Sequence, residues 1–205
     1  MHREVIYMKK LLITGFAPFG GESINPSWEA VKQLPDEIGE YRLVKTELPV
    51  VFGDAFVCCV QAAGREQPDI ILCVGQAGGR KKVTPEMVGI NLRYASIPDN
   101  AGNLPKDKPV VSGGPDAYFA TVPVRRMADA MGERGAVSYS AGAYVCNDLL
   151  YSLLHHFVGS DVRAGFIHVP YLPSQAKEGV PSMELDEIVQ ALCDGIGALT
   201  GRNDE

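Results

Sequence analysis

The sequence predicts an α/β fold of three layers, αβα, around a mixed, mostly parallel twisted sheet. Three observations predict it. Short apolar runs alternate with amphipathic segments of helical period along the chain. One run, DIILCVG at 69–75, is bounded by turn signals and apolar almost throughout, which is how a strand covered on both faces reads. No repeat or linker divides the 205 residues, so they read as a single domain, 1–205, with residues 1–7 as an extension before Met8.

KLLIT (10–14) is a short buried strand that runs into a loop rich in Gly, Pro and Phe. A helix over 26–34 follows, opened by Pro26, whose missing N–H is tolerated in a first turn, and ended by Pro35. YRLVKTEL (41–48) alternates as a strand. A helix over 52–63 sets Phe52, Phe56, Cys59, Val60 and Ala63 on one face. After DIILCVG, residues 75–86 read as loop and 87–97 as an extended segment. Residues 98–123, rich in Pro, Gly, Asn and Asp, read as a long loop. Then come a helix over 123–134, a strand AVSYS (136–140), a helix over 145–157 and a buried strand RAGFIHVP (163–170). A last helix covers 183–199, capped by Ser182. In such sheets active sites gather beyond the carboxyl ends of the strands. The loops GFAPFGG, GQAGGR and VPYLP leave at those ends, as does the turn from AVSYS into the helix at 145.

Composition narrows the partners. The net charge is −6 and no Lys/Arg run forms a basic patch, which argues against nucleic acid. No apolar stretch approaches the roughly 20 residues that span a bilayer. The N-terminus lacks a secretory pattern, so a cytoplasmic location is expected. Five scattered cysteines, with Cys58 and Cys59 adjacent and no CxxC pair, read as thiols rather than as a disulfide framework or a zinc site. GQAGGR fits neither GxxxxGK[ST] nor GxGxxG, so no phosphate-bearing cofactor is implied and none is expected.

Cys58, Cys59, Cys73 and Cys193 fall inside helices or a strand and read as small buried hydrophobes. Cys146 instead falls in the first turn of a helix, where free N–H groups and the helix dipole favour a thiolate and suit an oxyanion. Of four histidines, His2 lies in the ragged terminus, and His155 and His156 suit the end of a helix. His168 ends an apolar strand at the edge where active sites gather, as a base would. A third group should orient the imidazole. Glu86, Asp99 and Asp116 all qualify by position, and spacing does not choose among them.

Taken together, LLITGFAPFGGESINPSWEAV, PDIILCVGQAGGR, TPEMVGIN, IPDNAGN, GAYVCN and GFIHVPYLP resemble, in order from Leu11 to Pro173, the pyroglutamyl peptidase I family of cysteine peptidases. The resemblance implies a phosphorylase/hydrolase-like sandwich and a triad of Cys146, His168 and Glu86, the acid after TP. It also implies that Phe16, Phe19 and Tyr144 enclose a pyroglutamyl ring, with Gln76 and Asn25 as polar neighbours. Pyroglutamyl peptides would be the substrates, no cofactor or metal would be needed, and the chain would form a homo-oligomer, a tetramer or dimer. Ala143-Tyr144 stands where Thr-Phe is common in the family, and Met87 where Arg is common. Two other classes remain open: a nucleoside phosphorylase-type enzyme on the same architecture, and a silent binder of pyroglutamyl peptides.

Overall fold

Alternation along each strand decides the layering. The computed structural model describes residues 8–200; the extension at 1–7 and His2 lie outside the described residues. In β1 (Lys9–Phe16), Leu11 and Ile13 face one way and Leu12 the other. β3 (Tyr41–Leu48), β4 (Ile70–Gln76) and β8 (Arg163–Val169) divide in the same manner. On one side α1 (Pro26–Gln33), α3 (Val124–Ala130) and α5 (Leu185–Gly197) cover Leu11, Ile13, Ile70, Leu72 and Ile167. On the other, α2 (Asp54–Glu66) and α4 (Val145–His156) cover Leu12, Ile71, Cys73 and Phe166. The three-layer sandwich expected from the sequence is therefore present.

With β2 (Glu37–Ile38) and β5 (Thr84–Pro85) at the edges, the sheet order is β2-β3-β1-β4-β8-β5. The four central strands are parallel, and both edge strands run antiparallel to their neighbours. From β1 the chain passes to β3 on one side, and β4 lies on the other, so the loops after β1 and β4 diverge at a switch point. α1 packs so closely on β1 that a Cβ at Gly15 would lie 2.6 Å from the Trp28 Cα.

Five expectations need correction. Residues 75–86 are not all loop: Thr84 and Pro85 pair with His168 and Ile167 as β5. The extended segment and the long loop each supply one strand, β6 (Val88–Ile90) and β7 (Ala117–Phe119), which pair only with each other. β6 falls inside the segment read as extended, whereas β7 depends on this nonlocal pairing and does not show in its own sequence. AVSYS is not a ladder strand; single bridges join Gly135 to Val83 and Ser138 to Glu86. Finally, α5 begins at Leu185, capped by Glu184 in a reciprocal box with Glu187, because Ser182 and Met183 are engaged by Tyr171. The helix at 52–63 is also displaced to Asp54–Glu66, with Phe52 before it.

Replacing Gly15 by Ala forces backbone against backbone. We expect a loss of about 1–3 kcal/mol, read as a lower urea midpoint with an unchanged slope.

Candidate active site

The site is assembled at the carboxyl edge of β4 and β8. Their register pairs Gly75 with His168. Cys146, in the first turn of α4, rests on Gly75: a Cβ there would lie 2.9 Å from Sγ and 2.7 Å from the Phe166 ring. Only a residue without a side chain lets the thiol lie this close to β4. The next two residues of α4 anchor it. Asn147 accepts from the Ile90 N–H and donates to the Ile90 and Leu92 carbonyls. Asp148, also buried, accepts from Arg93 at 2.5 Å and from the Gly53 N–H at 2.9 Å. The first intrahelical bond of α4 runs from Asp148 N to Tyr144 O, and no side chain caps the helix start. Its leading N–H groups are thus uncommitted beside Cys146.

His168 is 3 % exposed and donates or accepts through Nδ1 at 2.6 Å from Glu86 Oε1. Because the carboxyl is ionised, Nδ1 carries the proton and Nε2 is left as the acceptor. Glu86 follows β5 directly, and its N–H bonds the Phe166 carbonyl at 2.9 Å. Burial pulls its carboxyl upward, but the His168 hydrogen bond and charge, Ser138 and Arg80 together hold it below 4.5. The Ser138 hydroxyl is near enough to favour the anion, yet Glu86 Oε2 has no hydrogen-bond partner. Burial depresses His168 below 6.5, and Glu86 only partly opposes that shift. Cys146 keeps some accessible surface but is enclosed densely enough that burial, then Glu86 and Cys73, push its thiol up to about 12. Burial thus opposes the thiolate that the helix start favours.

A cavity of about 310 Å³ opens over these groups. It brings together Cys146, His168, Phe16, Phe19, Asn25, Gln76 and Tyr144, while Glu86 lies behind the imidazole. Phe16 packs at a tilt against Phe166, and Tyr144 packs on Phe19 and, edge-on, on Phe52. The Tyr144 hydroxyl donates to the Pro98 carbonyl at 3.1 Å, so the residue that departs from Phe finds its partner in the neighbouring loop. Asn25 borders the cavity with its side chain engaged: Oδ1 caps α1 at Ser27, and Nδ2 donates to the Ala17 carbonyl. Alternation turns Gln76 to the opposite face from Gly75, where Oε1 accepts from Gln175 at 3.2 Å. Asp99 and Asp116 take no part: Asp99 binds Phe52, Ala101 and Asn103 in its own turn, and the Asp116 carbonyl pairs with Asn91. Sequence reasoning missed Arg80, the last residue of GQAGGR, which lines the cavity and binds Glu86. The string was visible, but nothing in it indicated that its cation turns toward an acid six residues on.

A model of the family described as Pyroglutamyl peptidase matches residues 9–201. The chain belongs to the pyroglutamyl peptidase family. The pyrrolidone-carboxylate peptidase of Escherichia fergusonii is 50% identical over 192 residues, 90% of each chain. That of Thermosipho africanus is 48% identical over 204 residues, 96% of this chain and 100% of the other. Among solved structures, Bacillus amyloliquefaciens pyroglutamyl peptidase I superposes with a TM-score of 0.89 at 46% identity, covering 93% of this chain and 96% of that one. The pyrrolidone carboxyl peptidase of Thermococcus litoralis gives 0.88 at 36% identity, covering 94% and 93%. The mixed, mostly parallel sandwich is thus the fold of the pyroglutamyl peptidase family.

Two outcomes follow from this geometry. Gly75→Ala should lose most activity and also lower the urea midpoint, because the intruding Cβ displaces Sγ and the buried Phe166 ring; turnover measured where the variant is fully folded separates the two effects. Stability should also fall with acid. Both His168 and Glu86 bind protons more weakly folded than unfolded, so the unfolded chain protonates first. Their contribution is intact above 6.5, is lost through His168 below that value, and through Glu86 below 4.5. Urea midpoints against pH should show this slope, and the pair Glu86→Gln with His168→Asn should flatten it.

Proposed function

We propose that the chain is a cysteine peptidase that removes N-terminal pyroglutamate from peptides, with Cys146 as nucleophile, His168 as base and Glu86 as its orienting acid. Family membership makes it a pyroglutamyl-peptidase, a hydrolase. The observation that supports the finer reading is the 2.6 Å bond from His168 to Glu86 in the wall of the cavity that also holds Cys146.

Cys146 Sγ attacks the carbonyl carbon of the pyroglutamyl bond. With the thiol pushed up to about 12, its proton passes to His168 Nε2 during the attack rather than before it. Glu86 holds Nδ1–H and stabilises the imidazolium that forms. The carbonyl oxygen, now an anion, faces the uncapped N–H groups at the start of α4. The tetrahedral centre collapses, the C–N bond breaks, and His168 returns its proton to the leaving amine. A water molecule, deprotonated by His168, then hydrolyses the thioester and frees pyroglutamate and the thiol.

The cavity suits the substrate's chemistry. Pyroglutamate is a neutral lactam without an α-ammonium group. Among the described residues no Asp or Glu lines the cavity, and aromatic rings supply much of its wall. Membership of the family also underlies the expectation of a homo-oligomer, which sedimentation would test.

Release of a fluorescent amine from its pyroglutamyl amide is the deciding assay. Wild type should turn over. Cys146→Ala should be inactive and His168→Ala nearly so, with folding intact by circular dichroism. Glu86→Gln should retain more, with kcat lower by roughly 100-fold, since the ring loses its charge partner but keeps a neighbour. Turnover that survives in Cys146→Ala would sink the assignment.

A further inference from the structure

Arg80 has no evident task toward a neutral lactam, yet both Nη atoms of its guanidinium are bonded inside the site. It ends the GQAGGR loop beyond β4. Nη1 donates at 2.6 Å to Glu86 Oε1, the same oxygen that His168 Nδ1 reaches at 2.6 Å. Nη1 also donates to Thr84 Oγ1, and Nη2 to the Ser140 carbonyl at 3.1 Å. One planar group thus ties the loop after β4 to β5 and to the segment that enters the Cys146 helix.

We propose that Arg80 is a positioning residue: by holding the Glu86 oxygen that His168 also binds, it fixes the imidazole in the cavity wall that Cys146 shares. The proposal rests on the peptidase reading above. An imidazolium would share a single carboxylate oxygen with a second cation, and Glu86 Oε2 has no partner to spread the load. Among the described residues, Glu86 and Arg80 are the charged groups that act on the His168 ring, one favouring its cation and the other opposing it. The other groups in this cluster carry no formal charge: Ser138 favours the Glu86 anion, Cys73 acts on the Cys146 thiol, and the Phe166 ring packs on His168 at 4.8 Å between centroids. Arg80 also offsets the Glu86 charge felt by the Cys146 thiol. Lysine would keep the charge, but one ammonium does not reach Glu86, Thr84 and Ser140 in the same plane.

The test titrates the histidine rings of the full chain by NMR from acid to neutral pH, with the His168 signal assigned by its loss in His168→Asn. Wild type is compared with Arg80→Met, Arg80→Gln and Arg80→Lys, and kcat/KM is followed over the same range. The His168 midpoint should move to higher pH in both neutral variants, the acid limb of kcat/KM should move with it, and Arg80→Lys should keep the wild-type midpoint. In Arg80→Lys, kcat should drop by roughly 10- to 100-fold through misalignment. An unmoved midpoint in a folded neutral variant overturns the proposal, whatever its rate. A wild-type kcat in Arg80→Lys overturns the positioning role even if the neutral variants do not fold. A wild type that titrates as expected but releases no amine from the pyroglutamyl amide counts against the peptidase reading alone.

Discussion

A carboxylate sealed from water is the constraint on which the site depends. Glu86 is 0 % exposed. Burying such a charge without partners costs several kcal/mol, so the surrounding chain must supply them. It does so with His168 at the end of β8 and Arg80 from the loop after β4, while the short edge strand β5 sets the carboxylate between them. β5 tolerates Pro85 because it is an edge strand. Its pairing with His168 and Ile167 is what brings the acid, just beyond it, behind the imidazole.

The second constraint is closeness at Gly75. The thiol and the imidazole lie on different elements but line one cavity, and Cys146 rests directly on β4 because Gly75 has no side chain there. This enclosure removes water from Sγ, and desolvation then outweighs the field of the helix start. The same enclosure depresses His168. Burial thus raises the thiol and lowers the imidazole together, the two shifts that favour their neutral forms.

The two faces of the sheet divide the labour. Cys146, His168 and Phe166 belong to the face covered by α2 and α4. Gln76, one residue on from Gly75, belongs to the other, where Gln175 holds its amide. Asn25 shares this double character, bordering the cavity while capping α1 and holding the loop that carries Phe16 and Phe19. Side chains grouped as pocket residues by their neighbourhood in sequence therefore differ in what they are free to do.

Local pattern determined the central strands, the helices and the two groups at strand and helix ends, Cys146 and His168. Each rests on short-range physics: an apolar run between turns, a 3.6-residue period, a first turn with free N–H groups. Spacing alone left Glu86, Asp99 and Asp116 equal, and resemblance to a family separated them. Tertiary structure decided what depends on chain segments far apart. The pairing of β6 with β7, the antiparallel edge strand β5, the bridges of 136–140 and the cap of α5 all need partners that no window of sequence contains. So does the protonation state of Cys146, since a thiol's field is set by everything packed around it, and so does Arg80, whose role exists only where β4, β5 and β8 converge on one carboxylate oxygen.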